Sequence, residues 1–346
     1  MSNQENSDKL SQTKANLEQS KKRLEQIKAG FNNFDLTQSV NMAVINEKLN
    51  KDNSQPIQLS TAAKEFTNEP VSHKSILLDY PIKPNPRYGY GKPPNYALYN
   101  IIEKNRVVYK NTLESFLSFS HYFINIPLIS NDSMEPEWNN DYLPGLDAMA
   151  LYSFLALKKP KKYFEVGSGN SSKFVKKAIR DFDLQTQITS FDPHPRAEID
   201  SLCDRVIRKP LEESDLSIFD ELQSGDILFI DGSHYCFMNT DVTVVFLEIL
   251  PRLKSGVLVQ LHDILLPYDY PPEWTNRFYS EQYLLAAYLL AEGDKLNIVL
   301  PNAFISYDQE LSGILKEIWN NPNIQGVRST KGSSFWFEIK SPGIPK

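Results

Sequence analysis

A chain of 346 residues is long enough to bury one large core with appendages, and its 41% hydrophobic and 12% aromatic content is ordinary for a soluble globular protein. The formal charge of -6 gives no support to a nucleic-acid-binding surface, and two cysteines, Cys203 and Cys236, are too few for a disulfide framework or a cysteine zinc site. With no apolar N-terminal leader and no run approaching ~20 apolar residues, the expectation is a cytoplasmic protein without a membrane span.

Residues 1–60 are polar and rich in lysine and glutamine. Leu10, Leu17 and Leu24 recur at heptad spacing, but Thr13 and Ser20 interrupt the seam, so a solvated helix or a disordered tail is expected. From Asp79 to Tyr99, prolines and glycines disfavour regular structure, and five tyrosines call for packing against something: a pocket wall, or a strap over the core. Apolar spacing from Asn100 to Ile126 predicts a mainly helical stretch that Pro127 ends. A second helix is expected over Ala148–Leu157, with Leu143, Gly145 and Asp147 in the loop before it placed to reach a ligand at the next strand.

That strand is Tyr163-Phe164-Glu165-Val166, followed by the turn Gly167-Ser168-Gly169 and by helical spacing through Lys173–Ile179. Glycines permit φ > 0 and close backbone approach, and a helix start offers free N–H groups, so the turn suits a polar cofactor. The alternative is that both glycines serve packing alone. Ser172 stands where a dinucleotide fingerprint has its third glycine, which argues against NAD. Further strands are predicted at Ile188–Asp192, Arg205–Arg208, Asp226–Asp231, Gly256–Leu261, Leu296–Leu300 and Ser334–Ile339, with helices at Asp241–Leu253 and Ser280–Ala291. Strands alternating with helices imply an α/β fold on a mostly parallel sheet, with ligands at the carboxyl ends of the strands.

Those ends carry the chemistry. Asp192 follows Gly167 by 25 positions, near the ~20-residue spacing at which an acid meets a ribose diol, although Asp192-Pro193 also reads as a simple turn. Asp231-Gly232-Ser233-His234 and His262-Asp263 combine carboxylates with imidazoles, a set suited to Mg²⁺ or Mn²⁺, and His234 has the chemistry of a general base. For each histidine, the alternative is a hydrogen-bonded structural residue.

Four segments together resemble the class I S-adenosylmethionine-dependent methyltransferases, most closely the branch grouped as methyltransferase family 24. They are Phe164–Gly169, Ser190–Pro193, Ile230–His234, and Leu250–Gly256 running on to His262-Asp263-Ile264. The resemblance covers residues 140–340 or so. It implies a Rossmann-like sheet of seven strands, the last antiparallel, with helices on both faces and a helical N-terminal extension. With the compositional change near residue 60, the chain is expected to divide into a polar helical or disordered tail at 1–60, an extension or lid at 61–147 and a methyltransferase domain at 148–346. The resemblance further implies that Glu165, Gly167, Ser168, Gly169, Ser172, Asp192 and Asp231 bind S-adenosylmethionine, and that His234 and Asp231 are catalytic. Asp231, His262 and Asp263 fall on the metal-ligand positions of macrolide sugar O-methyltransferases. Those enzymes have a carboxylate where His262 stands, and histidine also ligates metals.

The expected activity is therefore O-methylation of a sugar, glycan or small molecule, with no nucleic-acid partner and with oligomerisation left open. The ring-rich run Pro267–Trp274 after His262-Asp263 suits a carbohydrate face or packs on itself. An NAD-dependent oxidoreductase and a non-catalytic methyltransferase-like binding module are the two other readings.

Overall fold

A computed structural model describes residues 81–195, 199–292 and 295–340. The expected tail at 1–60 and the first part of the extension, 61–80, lie outside them. Seven strands form one sheet in the order β3-β2-β1-β4-β5-β7-β6. They are β1 (Lys162–Val166), β2 (Gln187–Phe191), β3 (Arg205–Ile207), β4 (Ile227–Ile230), β5 (Leu258–Leu261), β6 (Leu296–Pro301) and β7 (Phe335–Ile339). The first five run parallel, while β7 lies antiparallel between β5 and β6. All seven expected strands are present, each within two residues of its predicted bounds.

Every residue of β4 and β5 is buried, as are the last four of β1 and β2. Side chains of a strand alternate between faces, so burial without alternation means that both faces are covered. Parallel pairing also brings the carboxyl ends of β2, β1, β4 and β5 to one rim. This rim carries the polar residues singled out above.

The helices that matter for the rim are α1 (Tyr96–Glu103), α2 (Arg106–Phe116), α3 (Gly145–Lys158), α4 (Asn170–Asp181) and α5 (Glu281–Glu292). On α4, Phe174, Val175 and Ala178 are buried at helical spacing. Fully burying a side chain the size of Phe174 contributes roughly 1.5–3 kcal/mol. Leu98 and Ile102 of α1 and Tyr109, Leu113 and Phe116 of α2 join the same core as the sheet. No described helix is long and apolar enough to cross a membrane.

The helix predicted over Asn100–Ile126 is in fact broken. Asn105 leaves helical geometry (φ -98°, ψ 17°), and its side chain donates to the Ile298 carbonyl of β6 at 3.0 Å. A tertiary hydrogen bond outweighs local propensity there. The stretch Asp241–Arg252 also changes pitch, from α through a π-helical turn at Val245–Ile249 to a 3₁₀ turn at Leu250–Arg252. Pro251 has no N–H for the Leu247 carbonyl and its ring crowds that oxygen, so the helix widens before it. Three short helices between Asn302 and Trp319 had no counterpart in the sequence reading. Arg106 of α2 grips them through a bidentate pair with Asp308 (2.6 and 2.7 Å).

The tyrosine-rich segment is a strap. Asp269 accepts the Arg87 and Tyr88 backbone N–H groups, and Asn95 N donates to Pro267 O at 3.0 Å. It is bound to the loop that follows β5, and its last tyrosines have already entered α1.

Candidate functional site

The turn after β1 is shaped by backbone geometry first. Gly167 sits at φ 78°, and a Cβ there would stand 1.9 Å from the Asp231 carbonyl oxygen. Only glycine fits. The turn is tied to both neighbouring strands: Gly167 N donates to Phe191 O at 2.9 Å and Asp231 N to Val166 O at 2.8 Å. Beyond it, a Cβ at Gly169 would meet nothing within 4 Å, so the outer side of the turn is open space.

Glu165 faces inward. It is fully buried, and its carboxyl accepts from Ser171 Oγ (3.0 Å), Tyr163 OH (3.2 Å) and Ser172 Oγ. Ser172 Oγ in turn receives Gly169 N at 3.3 Å. Glu165 and Ser172 thus brace the turn from beneath. Burial pushes the Glu165 carboxyl up to about 7, against the hydrogen bonds that favour its charged form. A carboxyl raised from 4.5 contributes stability that is full below pH 4.5 and is lost as pH rises through about 7. The shift corresponds to about 3 kcal/mol. Denaturant unfolding at pH 5 and pH 8 is expected to show that loss in the wild-type chain and its absence in Glu165→Gln. Equal pH dependence in the two proteins would contradict the assignment.

Asp192 stands just past the end of β2, partly exposed. Its Oδ2 accepts from Ser168 N at 2.9 Å and its Oδ1 from His194 N at 2.8 Å. Oδ2 also receives the Ser168 hydroxyl at 3.4 Å, while Oδ1 takes one backbone donor and keeps a lone pair. The carboxylate therefore joins the β1 turn to the β2 end and still faces outward.

The loop after β4 is pinned by Asp241 at the start of the following helix, which accepts Ser233 N at 2.6 Å and the Ser233 hydroxyl. A Cβ on Gly232 would collide with the same carboxylate. This places His234 in a left-handed backbone conformation, φ 62°, and Asp263 after β5 does the same at φ 51°. Left-handed geometry is uncommon outside glycine, and such strain clusters at functional sites. His234 is 4% exposed. Its Nδ1 lies 2.8 Å from Glu281 Oε2, and its Nε2 lies 3.3 Å from Asp231 Oδ1 and 3.7 Å from Asp263 Oδ2. Burial alone would lower its pKa, but Asp231 and Glu281 outweigh that and hold it well above the usual imidazole range.

At the end of β5, His262 is buried with its ring stacked on Phe229. Its Nδ1 lies 3.1 Å from Gln260 Nε2, while its own Nε2 is buried without a hydrogen-bond partner and lies 4.0 Å from Asp263 Oδ1. Asp263 accepts from Ser333 Oγ at 3.0 Å. Asp147, expected near a ligand, is instead spent on structure: it accepts Ser333 N, Ser334 N and Asn302 Nδ2 at 2.8–2.9 Å, fixing the chain as it enters β7. Leu143 is buried in the core, and Gly145 packs against the Ser329 carbonyl.

The rim thus brings Asp231, His234, His262 and Asp263 together on β4 and β5, and Ser168 with Asp192 on β1 and β2. Sequence reasoning missed Glu281. It lies 47 residues from His234 and stands in the first turn of α5, where an acid is ordinarily read as complementing the helix dipole. It missed Gln260 too, although a glutamine inside Leu258–Leu261, two residues before a histidine and hence on the same strand face, was a usable signal.

The ring of Tyr279 lies 4.6 Å from that of His234 and 5.8 Å from Trp274, and Arg277 sits 4.5 Å over the Trp274 ring. An aromatic wall flanks the histidine.

Residues 164–264 match a family model described as a methyltransferase domain. No curated protein sequence matches the chain. Among solved structures, an O-methyltransferase from Bacillus cereus in complex with SAH is 12% identical, covers 70% of this chain and 100% of its own, and gives a TM-score of 0.35. An SAH-bound methyltransferase from Podospora anserina is 12% identical, covers 73% and 100%, and gives 0.35. The matched segment runs from β1 to just past the end of β5.

Proposed function

We propose that the chain, whose residues 164–264 match a methyltransferase-domain model, is a class I S-adenosylmethionine-dependent methyltransferase that methylates a hydroxyl oxygen of a sugar, glycan or other small molecule, with His234 as general base. One observation carries this reading: a buried imidazole on the rim, held by Glu281 at Nδ1 and directed by Nε2 toward two carboxylates.

The turn fits the cofactor on its own geometry. Gly169 leaves open space, the start of α4 presents backbone N–H groups, and Asp192 keeps a lone pair on Oδ1 for one ribose hydroxyl, with a second reaching Oδ2 in place of the long 3.4 Å bond from the Ser168 hydroxyl. Gly167, Ser168 and Gly169 line the methionine part, Glu165 and Ser172 brace them, and Asp231 stands beside them on β4. When bound, the cofactor supplies a methyl group already activated on a sulfonium. What is left for the protein is to align the acceptor oxygen and to take its proton.

His234 performs the second task. Asp231 and Glu281 favour the charged ring, so the form that acts is the one that has released its Nε2 proton: with Nδ1–H donated to Glu281, it offers the Nε2 lone pair to the acceptor hydroxyl. Asp231 and Asp263 then stabilise the imidazolium that forms, as the acid of a catalytic triad does. The aromatic wall of Tyr279 and Trp274 supports a ring-shaped acceptor, whose flat face it would cover.

A divalent cation does not fit the donor set as it stands. His234 Nε2 itself lies against both Asp231 and Asp263. Among the described residues, no three His, Cys, Asp or Glu side chains are grouped to hold a metal ion. No step is routed through one.

Calorimetry with S-adenosylhomocysteine tests the cofactor assignment. Each hydrogen bond to a charged group is worth about 1.5–3 kcal/mol, so Asp192→Ala is expected to weaken binding by roughly 10–100-fold or more. Unchanged affinity in the variant would remove Asp192 from the cofactor site, and tight NAD⁺ binding by the wild type would replace the reading altogether.

A further inference from the structure

His262 carries the most unusual polar atom in the rim: a ring nitrogen on a side chain only 2% exposed, with no hydrogen-bond partner. Buried polar atoms are nearly always paired, so an orphan asks for a reason. Its protonation follows from its neighbour. Ile230 N donates to Gln260 Oε1 at 3.3 Å. A backbone N–H only donates, so the amide oxygen of Gln260 must face it, and the NH₂ group must face His262 Nδ1 at 3.1 Å. An NH₂ group only donates as well. Nδ1 therefore accepts, and the ring proton sits on Nε2.

This conclusion does not depend on the charge of the ring. Asp231, Asp263 and Asp147 favour the protonated form of His262 against its burial. A second proton would have to enter at Nδ1, and Nε2 would still carry its own. In both forms Nε2–H has no lone pair for a cation, and Nδ1 offers none either, its lone pair being held by Gln260 in the neutral ring and by the second proton in the charged one.

We infer that His262 Nε2–H is a hydrogen-bond donor to the methyl acceptor, holding an oxygen adjacent to the hydroxyl that His234 deprotonates. The inference deepens the methyl-transfer reading of the same site and rests on it. Position selects the acceptor over the cofactor: His262 ends β5, while the glycine turn and Asp192 end β1 and β2 on the far side of β4. The shared neighbour suggests the acceptor class. His262 Nε2 and His234 Nε2 flank one carboxylate, at 4.0 and 3.7 Å from the two oxygens of Asp263, and a molecule reaching both histidines would need an oxygen for each. A vicinal diol or a hydroxy-carbonyl group has that form.

The chain has five histidines, few enough for imidazole nitrogen NMR on the ¹⁵N-histidine-labelled full-length protein, with His262→Gln to assign the signal. In the presence of S-adenosylhomocysteine, His262 is expected to show a protonated Nε2 and an unprotonated Nδ1, unmoved by millimolar Mg²⁺. Catechol and methyl glucoside serve as an aromatic and a sugar vicinal diol, and at least one should shift the Nε2–H proton. A proton on Nδ1 instead of Nε2, a Mg²⁺-induced shift, or the absence of a His262 shift with either diol overturns the inference. Failure of S-adenosylhomocysteine to bind at all is a different result, and it sinks the underlying methyl-transfer reading.

Discussion

His234→Asn is expected to lower methyl transfer by roughly 10²–10⁴-fold, the usual worth of a positioned general base. Binding of S-adenosylhomocysteine should stay within a few-fold of wild type, because no cofactor contact is assigned to the ring. Asparagine is the informative replacement: it tolerates the left-handed backbone at φ 62° and keeps an amide donor for Glu281. Alanine would leave that carboxyl buried without a partner, at a cost of about 1–3 kcal/mol in stability. Glu281→Gln separates orientation from proton acceptance. It keeps an acceptor for Nδ1–H but removes the charge, so kcat should fall while KM for the acceptor stays near its wild-type value. Loss of cofactor binding in His234→Asn, or transfer at the wild-type rate, would contradict the assigned role.

Gly167→Ala is expected to destabilise the chain by about 2–5 kcal/mol, combining left-handed backbone strain with a steric clash in a packed interior. The new Cβ would stand 1.9 Å from the Asp231 carbonyl oxygen. Relief requires β1 and β4 to separate at their carboxyl ends, which moves the turn and the His234 loop together. Cofactor binding should be lost along with stability. Gly169→Ala is the contrasting case, since its Cβ meets nothing within 4 Å. Its unfolding midpoint should match wild type while its affinity for S-adenosylhomocysteine falls, because the methyl enters the space assigned to the cofactor. Denaturant unfolding and calorimetry on the pair check both halves. A destabilised Gly169→Ala, or a Gly167→Ala that folds and binds normally, would show the turn to be built otherwise.

Strands were legible because burial on both faces leaves short continuous apolar runs, such as Ile227–Ile230. The rim was legible because parallel strands put every carboxyl end on one side, which placed Asp192, Asp231 and Asp263 before any contact was known. Pairings across long sequence separations were not. Nothing local says that Glu281 meets His234, or that Asn105 leaves its helix to reach Ile298. Direction was hidden as well. Glu165 was read as facing a ligand, yet three hydroxyls hold it beneath the turn. Asp147 was placed near the ligand and fixes the approach to β7 instead. The proton on His262 Nε2 follows only from the chain of donors running from Ile230 N through Gln260, which exists once β4 and β5 are paired.

The central claim is transfer of a methyl group to oxygen at the β4–β5 rim, and the direct measurement is a labelled-methyl assay. Purified full-length chain is given S-adenosylmethionine with a labelled methyl group and a panel of sugars, nucleotide sugars and phenols, with EDTA and with Mg²⁺. The account predicts label on a hydroxyl oxygen of a ring bearing two neighbouring oxygens, at a rate that EDTA leaves unchanged and that His234→Asn abolishes. Label appearing only with Mg²⁺, or no transfer to any member of the panel from a chain that binds S-adenosylhomocysteine, would contradict it.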